Sequence, residues 1–155
     1  MARPRRPMIT VRPVTPGDAA AWLRLRRPLW PEVPEAEHRE DIERFFAGGA
    51  REPAAVLLAL EGGRAVGLAE LSIRAYAEGC RTDRIAYLEG WFVAADARGR
   101  GVGRVLVEAA EEWGRRQGCR ELASDAEAAN DVSAAAHRAL GFTEVGLVRC
   151  FRKDL

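Results

Sequence analysis

Two carboxylates stand where a chain rarely places them without a use. Glu89 lies in the middle of IAYLEGWFV, residues 85–93, the most strand-like stretch of the sequence, and Asp125 follows a short strand at residues 119–124. Period-two alternation puts Glu89 on one face with Tyr87, Trp91 and Val93, and Leu88, Gly90 and Phe92 on the other. A carboxylate among large apolar groups is costly unless it is paired. Glu89 therefore reads either as half of an internal salt bridge, with Arg74 on the preceding strand as partner, or as a carboxylate kept there for a chemical use. Asp125, at a strand exit, reads as a cap for nearby N–H groups or as a loop carboxylate with a chemical use.

Between these two carboxylates runs Arg98-Gly99-Arg100-Gly101-Val102-Gly103, which joins a strand to a helix. Backbone N–H groups and the positive helix end favour an anion there, and the two arginines add charge. The anion is not a nucleotide triphosphate in a Walker loop: Gly103 is followed by Arg104, and no Lys precedes Lys153. A dinucleotide fingerprint fails too, because Gly99 and Gly101 lead to Arg104, and Gly101 and Gly103 lead to Leu106.

The elements that must carry these residues follow from periodicity and punctuation. Residues 8–14 read as a strand, and Thr15-Pro16-Gly17-Asp18 supplies an N-cap, a Pro in the first turn and an acid behind it. A helix with Trp22, Leu25 and Leu29 inward is stopped by Pro28 and Pro31. A second helix covers residues 35–47, with Ile42, Phe45 and Phe46 inward and a mixed charged face outward. Strands at 54–60 and 65–74 flank Gly62-Gly63, a hairpin signal. After the strand at 85–93 come a helix to about residue 117 with Val102, Leu106, Ala109, Ala110 and Trp113 on one stripe, the strand at 119–124, and a helix at 130–140 closed by Gly141. Residues 142–152 read as a terminal hairpin turning near Gly146. The fold class is α/β (α+β), a mixed central sheet of about six to seven strands flanked by about four helices.

Composition excludes several classes. A chain of 155 residues fits one domain, placed at residues 8–155 behind a leader at residues 1–7 expected to be disordered. Lys+Arg 24 against Asp+Glu 23 is too balanced for a nucleic-acid binder, although Arg3, Arg5 and Arg6 form a small basic arm. No apolar run approaches the roughly 18 residues of a membrane span, and no hydrophobic region follows the basic N-terminus. Cys80, Cys119 and Cys150 are odd in number and lack C-x-x-C spacing, so neither a disulfide framework nor a metal site is expected, and the compartment reads as cytoplasmic.

Arg98-x-x-Gly101-x-Gly103 after a strand resembles the pyrophosphate loop of the GNAT superfamily of acyl-CoA N-acyltransferases. Asn130-x-x-Ser133-x-x-Ala136-His137-x-x-Leu140-Gly141-Phe142 resembles a second segment of that superfamily, and the element order is similar to its fold. More narrowly, Leu29-Trp30-Pro31, Ser72-Ile73-Arg74, Tyr87-Leu88-Glu89-Gly90-Trp91 and Ala123-Ser124-Asp125-Ala126 together resemble the aminoglycoside 6'-N-acetyltransferases.

The resemblance implies acetyl-CoA as cosubstrate, with direct attack of an amine on the thioester and no metal. It assigns cosubstrate binding to the backbone of Trp91, Phe92 and Val93, to the loop residues Arg98, Gly99, Arg100, Gly101, Val102 and Gly103, and to Asn130. Glu89 and Asp125 would contact the amines and serve as catalytic groups, Glu89 helping to take a proton from the ammonium and Asp125 sharing base duty, with Trp30 and Tyr76 as an aromatic wall. His137 stands where many members of the superfamily have a tyrosine that protonates the thiolate, and Glu144 lies two positions before Gly146, where relatives can carry an acidic ligand. A homodimer is implied as well. Two alternatives keep the loop but change the use: another amine acceptor (a polyamine, a peptide N-terminus or a small metabolite), or acyl-CoA binding without turnover.

Overall fold

The computed structural model describes residues 7–155, so the basic arm and all of the expected leader except Pro7 lie outside it. Strand β1, Ile9–Pro13, leads into a single 3-10 turn at Pro16–Asp18 and helix α1, Ala19–Arg26. Asp18 closes the capping box: its Oδ2 accepts from the Thr15 N–H at 2.7 Å and its carboxylate holds Arg12 at 2.6 Å. Helix α1 ends before Leu29: Arg27 keeps helical dihedrals and donates to the Leu23 carbonyl, but Pro28 has no N–H with which to continue the ladder. Helix α2 is Glu35–Phe46, and β2 (Ala55–Glu61) and β3 (Arg64–Arg74) form the expected hairpin, turning at Gly62 and Gly63, both at positive φ. Then come β4 (Ile85–Val93), α3 (Val102–Arg116), β5 (Leu122–Ser124) and α4 (Asp131–Ala139).

The sheet runs β1-β2-β3-β4-β5, antiparallel through β4, with β5 parallel to β4 across the α3 crossover. Helix α3 packs closely on one face: a Cβ on Gly67 would fall 2.8 Å from Val102 and from Leu106. On the opposite face α1 and α2 cover the sheet through Trp22, Leu25 and Ile42. That second face also holds a buried polar network. Glu70 on β3, only 2% exposed, accepts from the indole N–H of Trp22 at 3.1 Å and from Nε of Arg26 at 2.9 Å. Arg26 also donates to Nδ1 of His38 at 2.7 Å and pairs with Asp41 at 3.1 Å. An arginine only donates, so Nδ1 is the acceptor and Nε2–H donates to the Trp30 carbonyl at 3.2 Å. The connection between α1 and α2 is thereby tied to β3.

Two expectations are corrected. The sheet has five strands among the described residues, not six or seven, and the hairpin expected over residues 142–152 is absent. Residues 143–155 are exposed and carry no regular structure. A two-stranded ribbon needs a sheet or helix to cover its apolar side, and Val145, Leu147, Val148 and Phe151 find none within the described residues of this chain.

Candidate active site

The site begins where a strand pair stops. β4 and β5 are paired only over Ala86↔Leu122, Tyr87↔Ala123 and Leu88↔Ser124, while β4 continues five residues further against β3 alone. On its open side the backbone of residues 89–93 has no ladder partner among the described residues. Beside this opening lies a cleft of about 430 Å³, walled by Trp30 and Glu32 from the α1–α2 connection, Glu89 and Trp91 from β4, Asp125 after β5, and His137 from α4. Glu127 lines it too, so four carboxylates face the cleft, and no Lys or Arg does among the described residues.

Glu89 reaches the cleft through a β-bulge. The β3–β4 register passes from Glu70↔Gly90 to Leu71↔Leu88, leaving Glu89 as the extra residue. The bulge overturns the expected alternation. Tyr87 and Glu89 do share a face, that of Arg74, but Trp91 turns to the other side, where it meets Gly103 of α3. Gly90 takes the Trp30 side, and a Cβ there would fall 2.8 Å from Cη2 of Trp30 and 2.9 Å from Leu29. Only glycine lets the wall close onto the strand.

Arg74 is the salt-bridge partner expected for Glu89. Its Nε and Nη2 donate to the two carboxylate oxygens at 2.8 and 2.7 Å, and the Ser72 hydroxyl donates to Oε1 as well. The guanidinium also lies 3.5 Å over the ring of Tyr87. Tyr87 in turn donates its O–H to Oδ2 of Asp125 at 2.5 Å. Burial and the neighbouring Asp125 carboxylate push the Tyr87 phenol well above its usual range, so it stays a donor. The two candidate carboxylates thus belong to one chain of contacts, Glu89–Arg74–Tyr87–Asp125.

The glycine loop has the geometry of an anion cradle. Gly99 and Gly101 are at positive φ, and Gly101 caps α3 with no side chain satisfying the first-turn N–H groups. Arg98 bonds the Val93 carbonyl at 3.1 Å and stands 5.8 Å from the Phe92 ring. Arg100 is tied back to Glu61 at 2.7 Å and to the Asp96 carbonyl at 2.9 Å. Val102 places its side chain in the core, and Gly103 leaves room for Trp91, whose ring would lie 3.0 Å from a Cβ there. The indole N–H of Trp91 is buried with no acceptor among the described residues. An unpaired donor beside a cradle of free amides suits a long anionic cosubstrate such as acetyl-CoA.

Asn130 caps α4, its Oδ1 accepting from Ser133 N at 3.0 Å, and lines the cleft. His137 is wedged edge-on between Trp91 and Phe142, with ring centroids at 5.2 and 5.1 Å. Tyr76 does not join the site: it is 68% exposed and absent from the cleft lining, leaving Trp30 as the aromatic wall from this chain. Sequence reasoning missed Ser124, Gly90 and the Tyr87 hydroxyl. Gly90 was detectable as the glycine beside an acid inside a strand, a bulge signal. The others depend on contacts between distant elements.

A model of the acetyltransferase (GNAT) family matches residues 19–142. The chain is 53% identical over 146 residues to an aminoglycoside N(6')-acetyltransferase type 1 of Klebsiella aerogenes, covering 94% of this chain and 96% of that one. It is 42% identical to the protein of the same name from Stenotrophomonas maltophilia, covering 94% of each. The fold matches that of aminoglycoside N-acetyltransferase AAC(6')-Iy in complex with CoA at TM-score 0.90 and 36% identity, over 99% of this chain and 100% of that one. The same enzyme in complex with a bisubstrate analogue, CoA-S-monomethyl-acetylneamine, matches at TM-score 0.88 and 36% identity, over 96% and 99%. The chain belongs to the GNAT acetyltransferase family, with its relatives among the aminoglycoside 6'-N-acetyltransferases.

Proposed function

We propose that this protein transfers the acetyl group of acetyl-CoA to the 6'-amine of aminoglycosides by direct nucleophilic attack. The observation that carries the reading is the cleft lined by Glu32, Glu89, Asp125 and Glu127 and, among the described residues, by no lysine or arginine, next to a cradle built for an anion. Glu89 is already held by Arg74, but Glu32, Asp125 and Glu127 have no ion-pair partner among the described residues, so the site asks for a polycation, and the neighbouring loop asks for a phosphorylated cosubstrate. The names of the relatives and the bisubstrate complex agree with that pair.

The backbone of Trp91, Phe92 and Val93, the loop from Arg98 to Gly103, and Asn130 would hold acetyl-CoA, which supplies an acyl group activated as a thioester. Glu89, anchored by Arg74 and Ser72, fixes the charged acceptor, with Trp30 as its wall. Asp125 takes the proton that must leave the ammonium before nitrogen can attack. Acetylation removes one positive charge from the drug and weakens its hold on ribosomal RNA, which is the basis of resistance.

Two further readings accompany this one. The free Cys80, Cys119 and Cys150 suit a reducing cytoplasm. A homodimer would cover the exposed Val145, Leu147, Val148 and Phe151 and the outer edge of β5, which pairs with β4 alone among the described residues. Light scattering giving about the 17.0 kDa of one chain would refute the dimer.

The deciding experiment is the mass of kanamycin or tobramycin after incubation with the protein and acetyl-CoA, with a no-enzyme control. A gain of about 42 Da, one acetyl for one hydrogen, supports the reading. An unchanged drug, with thiol released when polyamines or peptide N-termini are offered instead, moves the acceptor to another amine.

A further inference from the structure

A primary ammonium loses two protons on becoming an amide, and Asp125 accounts for only one of them. The residue before it faces a different partner. Ser124 Oγ lies 2.8 Å from Nε2 of His137, whose Nδ1 lies 2.7 Å from the backbone carbonyl of Ser133. A carbonyl only accepts, so Nδ1 carries a hydrogen. In the neutral ring Nε2 therefore accepts from the Ser124 hydroxyl, and in the imidazolium it donates to Ser124 Oγ. One hydrogen bond serves both protonation states. Ser124 also closes the β4–β5 pairing opposite Leu88 and lines the cleft, so its hydroxyl stands where the two strands part.

We infer that Ser124, backed by His137, is a catalytic residue that carries the second proton from the attacking nitrogen to the departing sulfur. The inference rests on the acetyl-transfer reading above. As the C–N bond forms, the excess proton on nitrogen passes to Ser124 Oγ while the hydroxyl proton moves to His137 Nε2. When the C–S bond breaks, its electron pair leaves on sulfur and the path runs in reverse, from Nε2 to Oγ and from Oγ to sulfur. Nitrogen loses one proton, sulfur gains one, and Ser124 and His137 return to their starting state. Trp91 and Phe142 hold the imidazole edge-on, and Ser133 holds its tautomer, so the ring need not turn during the cycle. Adjacent residues divide the work: Asp125 turns to Tyr87 and Ser124 to His137.

The test is a double-mutant cycle on the full chain with Ser124→Ala, His137→Gln and the double variant. Each single change should lower kcat about 100-fold with the acetyl-CoA Kd unchanged, and the double variant should lose no more than either single one. Side-chain 15N NMR of the resting wild type, with His137 assigned by the His137→Gln spectrum, should show Nδ1 protonated and Nε2 bare. A kcat within about threefold of wild type in either single variant, or losses that multiply in the double variant, overturns the relay. So does a neutral His137 with its hydrogen on Nε2. If the wild type ignores aminoglycosides but acetylates another amine, the acceptor reading alone fails and the cycle is run on that amine. Transfer to no amine sinks both.

Discussion

The same three kinds of residue build two clusters on one face of the sheet, and only one of them is left open. Beneath α1, Glu70 is paired with Arg26 and with the N–H of Trp22, and Arg26 goes on to His38 and Asp41. Further along the sheet, Glu89 is paired with Arg74, which stacks on Tyr87, which donates to Asp125. A carboxylate, an arginine and an aromatic donor recur in each. Glu70 has a side chain 3% exposed, whereas that of Glu89 is 22% exposed and faces a cleft. The closed cluster spends its hydrogen bonds internally and fixes two helices to a strand. The open one borders the cleft, with Glu89 and Asp125 both among its lining.

The contrast can be broken from either end. Asp125→Asn should lower kcat/KM for the acceptor about 1000-fold and leave the melting temperature and acetyl-CoA affinity unchanged, as measured by kinetics and calorimetry. Arg26→Met should do the reverse, costing about 3 kcal/mol in denaturant unfolding because a buried carboxylate loses its cation. Its pH dependence has a definite sign. Burial already pushes the Glu70 carboxyl above its ordinary value, with Arg26 opposing, so the folded chain holds that proton more tightly than the unfolded one. Stability from this group is present at low pH and falls as pH rises through the window above 4.5. Removing Arg26 widens the window, so the loss in Arg26→Met should shrink as the pH is lowered.

Smaller effects sharpen the comparison. Tyr87→Phe should reduce kcat about tenfold by releasing Asp125, with a melting temperature within about 2 °C of wild type. An equal loss of stability and activity would make Tyr87 part of the closed kind of cluster. Gly90→Ala should raise the acceptor KM about fivefold with kcat nearly unchanged, since the new methyl displaces Trp30 rather than the carboxylates.

What could be read in advance divides along similar lines. The glycine loop, the stripe of α3 and the Gly62-Gly63 hairpin are local signals, and each has its expected place, whereas Leu29 of the first helix stripe lies beyond the end of α1. The Glu89–Arg74 pair was also legible, because an acid inside a strand demands a nearby cation. Alternation failed at the bulge, since periodicity assumes one residue opposite one and β4 has an extra. The Ser124–His137 contact joins residues on β5 and α4 that no spacing rule relates. Residues 142–152 show strand chemistry without a strand, because pairing depends on a neighbour that propensity does not supply.

The bulge has a bearing on descent. Glu89 is the one residue of β4 without an opposite number on β3, so the strand on either side is already in step. Deleting its codon would bring Leu88 next to Gly90, heal the ladder and leave the loop at residues 98–103 intact. A gene could thus shed one carboxylate of the acceptor cleft in a single event while the loop that would hold acyl-CoA stays as it was.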